Sequence, residues 1–163
     1  MLGAVSLATL LGVRAWDSQR GRPLEPWHEI VPDELSAEEI GRSDWAGYLA
    51  AEDALFASVR SEIAAALTPE ERVPINRYFE GSPIHPGGFA HDWNRSFVLE
   101  PDGEPRGAAV FLHGLTDSPY SARATLERYR ERGFVGIAIR LPAHGTVPGA
   151  LTEVHWEEWR AAT

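Results

Sequence analysis

Two His-Gly pairs carry the first chemical suggestion in this sequence, His113-Gly114 and His144-Gly145. The first follows the apolar run "AAVFL" and opens onto Leu115, Thr116 and Asp117. A glycine at a strand end lets backbone approach a ligand closely. The amide of Leu115 is then placed to donate to a developing negative oxygen, a contribution of about 3 kcal/mol in a transition state. His113 suits a brace that hydrogen-bonds the loop better than a base. The competing reading is structural: Gly ends strands in any fold, and both pairs then are ordinary turns. Asp117 is placed either to touch a substrate or to cap the helix that follows.

Other groupings carry less. His85, His91 and Asp92 are metal-ligand types, but their Gly- and Pro-rich surroundings lack zinc spacing, so a loop with solvated histidines is the better reading. Glu157 and Glu158 are adjacent and point to different sides of a helix, which excludes an acid/base carboxylate pair and suggests a solvated face. No Gly-x-Gly-x-x-Gly or Gly-x-x-x-x-Gly-Lys-Ser/Thr loop is present, which argues against nucleotide binding. No cofactor or metal is implied. Cysteine is absent, which removes disulfides, thiolate metal sites and a Cys nucleophile. The net charge of −9 and the lack of a basic run argue against nucleic acid. All 15 basic residues are Arg, which reads as compositional bias.

The elements that would hold these residues can be read in turn. The 163 residues suffice for one domain of ordinary size, and 44% hydrophobic with 24% charged residues is a globular composition. Leu2 to Val13 is an apolar run, shorter than the ~20 residues that span a bilayer. It is compatible with an export segment, the tail of a membrane anchor, or a buried or frayed helix. Residues 20–32 read as a Pro-rich, charged linker. Ser36 with Glu39 predicts a capping-box helix start. Trp45, Tyr48, Leu49, Leu55, Phe56, Val59, Ile63 and Leu67 recur at helical spacing, and Thr68-Pro69 ends the run. Beyond Asn94 the texture changes. "RSFVLE" alternates like a strand, "AAVFLHG" and "FVGIAIRL" read as strands buried on both faces, and Pro119 to Arg132 reads as a helix stopped by Gly133. Thr152 is the expected cap of a last helix bearing Trp156 and Trp159. Strand, helix and strand in this rhythm predict a βαβ unit with a parallel pair.

The stretch "VFLHGLTDSPYSARATLERYRERGFVGIAIRLPAHGTVPGALTEVHWEEW" resembles the early part of α/β-hydrolase serine esterases, in particular bacterial carboxylesterases and monoacylglycerol-lipase-like enzymes. The resemblance covers about residues 95–163 and rests on the order of the motifs: His-Gly-apolar-Thr, helix, strand, an x-Gly-His-Gly-x loop, and a helix with Trp spaced by three. Ala143 stands where that loop has its first glycine. The resemblance implies an α/β fold, with a partial α/β-hydrolase sheet at 94–163 behind a mainly helical extension at 23–93 and a candidate signal or anchor segment at 1–22. It implies that the Leu115 amide is an oxyanion-hole donor, with His113, Gly114 and Thr116 shaping the loop. The implied substrate is a small ester or lipid-like molecule attacked by a Ser to give an acyl-enzyme. Such enzymes carry that Ser in Gly-x-Ser-x-Gly. Ser82, Ser118 and Ser121 do not fit, so the expectation is a chain that stops short of its nucleophile. A peptidase or acyltransferase, or a non-catalytic binding protein, remains an alternative. Membrane association through residues 2–13, oligomeric state and compartment stay open.

Overall fold

The computed structural model describes residues 2–21 and 23–163, with no side-chain placement for residues 2–5 and 20. The first helix, α1 (Leu2–Arg20), presents Leu7, Leu10, Leu11, Val13 and Trp16 to solvent, each about 60% exposed. The buried-helix reading of the apolar run therefore fails for residues 6–13, and the side chains of residues 2–5 lie outside the description. Among the described residues no helix is long and apolar enough to cross a membrane.

The expected linker is not loose. It contains the short helix α2 (Pro26–Glu29), whose Trp27 stacks on Tyr78 with ring centroids 5.0 Å apart. Helix α3 (Ala37–Arg42) starts at Ser36, whose hydroxyl accepts from the Glu39 amide while the Glu39 carboxylate accepts from the Ser36 amide, the reciprocal box the sequence predicts. Helix α4 (Trp45–Ala66) starts at Asp44, whose carboxylate accepts from the Gly47 amide. It buries Tyr48, Leu55, Phe56, Val59 and Ile63 on one stripe, while Trp45 stays exposed.

Three strands form one sheet in the order β1 (Phe97–Leu99), β3 (Phe134–Ile139), β2 (Gly107–Leu112). The β2/β3 pair is parallel, from Gly107 opposite Phe134 to Leu112 opposite Ile139, and β1 runs antiparallel to β3. A 3₁₀ turn (Pro119–Ala122) and helix α5 (Arg123–Arg130) connect β2 to β3, and Gly133 ends the helix at φ +85°. Helix α6 (Trp156–Ala161) is capped by a His155/Glu158 box and not by Thr152, whose hydroxyl donates to the Gly149 carbonyl. Glu158 is thus a capping residue, where the sequence suggested only a solvated face.

These elements overturn the expected fold. The chain is a small mixed α/β domain with a three-stranded mixed sheet, and it does not carry the α/β-hydrolase fold. The motifs that suggested that fold lie on β2, the helix after it, β3, the loop that follows and α6, and the sheet they join has three strands only. Half of the core is α4 lying on a loop: Val59, Ile63 and Leu67 close over Ala143, Val147 and Ala150. The other half is α5 on one sheet face, with Ala122 and Leu126 against Ala138, Phe97, Ala109 and Phe111. The opposite face is uncovered at β2, where Val110 is 59% and Leu112 49% exposed. β2 is therefore not the doubly buried strand its apolar run suggests, because a continuous apolar run does not say how many faces find a partner.

Candidate functional site

The site forms where the loops after β2 and β3 meet, beyond the carboxyl ends of the parallel pair. This is where ligands bind in open α/β sheets. The two His-Gly pairs are brought together there: the His113 and His144 rings lie 4.7 Å apart, centroid to centroid. Both histidines are buried.

His113 is fully engaged. The Leu141 amide donates to its Nε2 at 3.0 Å, so Nε2 holds a lone pair and the ring proton sits on Nδ1. Nδ1 then donates to the Gly114 carbonyl at 3.0 Å. Burial pushes the His113 pKa below its ordinary value, and the neighbouring His144 and Arg140 charges act in the same direction. With both nitrogens occupied, the ring has no lone pair free to take a proton. It is a brace between the two loops.

The Gly114 carbonyl also accepts from the Asp117 amide at 3.1 Å, closing a β-turn with Leu115 and Thr116 at its centre. Neither has a positive φ, which leaves a type I geometry. In such a turn the amides of both central residues and of the fourth residue point the same way, as in the first turn of a helix. Only the fourth, Asp117, is consumed by the turn. Thr116's peptide is fixed as well, since the Leu115 carbonyl lies 2.9 Å from His144 Nε2. Two imidazoles thus hold two consecutive carbonyls, and the Leu115 and Thr116 N–H groups face the other way. Asp117 accepts from the Ser118 amide at 2.8 Å and is held below the usual carboxylate range first by its hydrogen bond with the Ser121 side chain. It is a local cap. Gly114 has an ordinary φ, and a Cβ there meets nothing within 4 Å, so internal packing does not require this glycine.

Leu115 and Thr116 border a cleft of about 990 Å³, with Tyr78, Phe89, Trp93 and Tyr120 among its apolar walls. That is the upper end of the size of small-molecule sites. None of the Ser and Thr hydroxyls lining it bonds a histidine: Ser118 Oγ donates to the Asn94 side chain at 2.9 Å, and Thr146 Oγ1 is buried without a partner. Metal ligands are not gathered either. His85 Nδ1 sits on the Arg77 carbonyl, His91 lies against Trp93, and among the described residues no group of three or more His, Cys, Asp or Glu could hold an ion.

The second loop is held from behind by residues that the sequence analysis does not single out. Arg140, 3% exposed, makes a two-pronged bond to Glu34, Nη1 and Nη2 each at 2.9 Å. Glu34 also accepts from the Ala143 amide at 2.7 Å, and Arg140 Nη1 donates to the His144 carbonyl at 3.1 Å. Arg140 Nε lies 3.4 Å from the Glu52 carboxylate, which is itself bonded by the Ser96 amide and hydroxyl at 2.7 Å each. The Tyr48 hydroxyl donates to the Arg140 carbonyl at 2.6 Å, and burial raises its pKa. Glu52 had a signal: a carboxylate in the middle of the α4 apolar stripe, four residues from both Tyr48 and Phe56. Within the loop Ala143 takes φ +69°, a left-handed conformation that favours glycine.

Comparison of the chain with protein-family models, curated proteins and solved structures finds no match.

Proposed function

We propose that the Gly114–Asp117 turn is the oxyanion-binding part of a serine-hydrolase site acting on carboxylic esters. One observation carries this reading: two consecutive peptide groups are fixed by imidazoles through their carbonyls, which leaves the Leu115 and Thr116 amides free at the border of an apolar cleft. Donors preorganised in this way favour the tetrahedral oxyanion over the flat ester carbonyl. Attack of a Ser oxygen on the ester carbon would place negative charge on the former carbonyl oxygen. A general base would take the Ser proton and return it to the departing oxygen, so that breaking the ester C–O bond would release the alcohol and leave an acyl-enzyme for water to hydrolyse. The cleft walls suit a small or lipid-like acyl chain. Among the residues lining the cleft, none of the Ser and Thr hydroxyls bonds a histidine.

The absence of a Ser–His pair from the cleft favours a second reading, a binding protein for apolar ligands. The two separate in a titration with a short-chain alkyl phosphonate and with the corresponding neutral ester, followed through the Leu115 and Thr116 amide resonances. Oxyanion binding predicts saturable shifts of these two amides and tighter binding of the phosphonate. Shifts confined to the apolar walls, with equal affinity for both probes, overturn it in favour of the binding protein. Neither reading expects the chain alone to turn over an aryl ester above background.

A further inference from the structure

Neither half of the core contains a described residue of helix α1. Its five large apolar side chains, Leu7, Leu10, Leu11, Val13 and Trp16, are all more than half exposed. At 3.6 residues per turn they span an arc of about 220° around the helix axis. A helix that lies on a protein core needs an apolar stripe of roughly 100°. The rest of the circumference is taken by Ala8, Gly12 and Ala15. Ser6 and Thr9 fall inside the apolar arc rather than opposite it, so they do not make a polar face.

A surface of this kind is not covered from one side. The bare sheet face at Val110 and Leu112 would reach one side of the helix only, as would a groove on another protein or the α1 of a second copy. Lipid acyl chains surround a helix completely, and a helix apolar all round suits them.

We propose that α1 is a lipid anchor, which buries its residues up to Val13 in the acyl region of a bilayer without crossing it and sets Arg14, Trp16 and Asp17 at the headgroups. Residues 2–13 carry no charge. At 1.5 Å per residue they extend about 18 Å, against a hydrocarbon core of about 30 Å, so they reach little further than one leaflet. Arg14 and Trp16 are boundary types: a guanidinium reaches the headgroups along an apolar stem, and an indole prefers the interface.

The charges select the lipid. Arg14, Asp17 and Arg20 give α1 a sum of +1, from two Arg and one Asp, while the whole chain carries −9. That is short of the cluster of about four to eight basic residues that holds a segment to anionic lipid, and the net charge opposes such a surface. The surface is therefore zwitterionic, and apolar burial holds the helix to it. The anchor stands apart from the oxyanion reading and holds or fails whatever the cleft binds.

The test is flotation of the full chain with phosphatidylcholine vesicles, read alongside Trp fluorescence. The chain should float, and should still float at about 1 M salt, where charges are screened within roughly 3 Å. Emission should shift to the blue, and Trp16→Phe should remove that shift. Leu7→Glu and Val13→Glu place a charge on different sides of the helix. Each should lower the partition coefficient by about tenfold or more, and both should keep the wild-type melting point. Failure to float overturns the proposal. So does flotation that needs anionic lipid and is lost in high salt, or binding that one Glu variant loses and the other keeps, which marks a one-sided partner. Without flotation, a dimer that Leu7→Glu dissolves assigns α1 to a second copy, and shifts of the Val110 and Leu112 amides in that variant assign it to the bare sheet face. If a variant does not fold, wild-type flotation and the Trp16 shift decide.

Discussion

Removing one carboxylate behind the second loop should cost more than any surface ion pair could. Glu34 receives three hydrogen bonds, from Arg140 Nη1 and Nη2 at 2.9 Å and from the Ala143 amide at 2.7 Å. The side chains of Arg140 and Glu52 are 3% and 2% exposed, and that of Glu34 13%. Breaking a buried pair costs about 3–5 kcal/mol, because a charge is left without a partner. Glu34→Gln keeps the shape and one acceptor, and Glu52 still faces Arg140, so the lower end, about 3 kcal/mol, is expected. At about 2–4 °C per kcal/mol for a chain of this size, the melting point should fall by roughly 6–12 °C. Arg140→Met should cost more, about 5 kcal/mol, since it strands two carboxylates. In the double variant the Gln removes one stranded carboxylate, so the loss should be smaller than the sum by about 1–3 kcal/mol. Urea melts of the four proteins measure this cycle. Single losses below about 1 kcal/mol, the surface value, would refute the reasoning, as would additivity within about 0.5 kcal/mol.

Gly149 packs so that a Cβ would sit 2.3 Å from the Ile30 carbonyl oxygen and 2.8 Å from that of His28. Both obstacles are backbone, so Gly149→Ala should lower stability by about 1–3 kcal/mol in a thermal melt and loosen the α2 segment. His113 has a folded-state pKa below its ordinary 6.5, so its contribution to stability is present above that value and fades as the pH falls through the lowered one. The stability difference between wild type and His113→Gln should therefore shrink on acidification, as read by urea melts between pH 5 and 8 (about the range where His titrates), and growth on acidification would contradict the assignment. The bare sheet face at Val110 and Leu112 predicts concentration-dependent association, which Val110→Thr with Leu112→Thr should reduce in sedimentation without lowering the melting point.

What the sequence shows and hides follows from how local each signal is. The Ser36/Glu39 cap and the Gly133 stop are decided within one or two helical turns and are present as read, and the α4 stripe is present from Tyr48 to Leu67, with Trp45 exposed and Leu49 half-buried. The β2–α5–β3 unit is nearly as local. The turn at His113 to Asp117 was visible as a place for donors, and both histidines were visible as loop residues. Their joint work was not, because each binds the other's loop across 28 or 29 residues. The sheet was misjudged for a related reason. An apolar run states that a strand wants burial, and Val110 and Leu112 show that one face can go without. Glu34 was invisible, since a carboxylate in a Pro-containing segment normally belongs to solvent.

The Arg140 cluster also orders events in time. Its contacts join residues 106 apart to Glu34, 109 apart from Ala143 to Glu34, and 92 apart from Tyr48 to the Arg140 carbonyl. Such bonds require closure of long loops before any of their enthalpy is recovered, and contacts of this separation form slowly. The β2–α5–β3 unit can assemble from neighbours in sequence, whereas the loop bearing His144 must wait for the segment around residue 34 to arrive from the other end of the chain. The two amides at Leu115 and Thr116 would thus be aligned last, and sub-global openings that release the Glu34 segment would disorder them first.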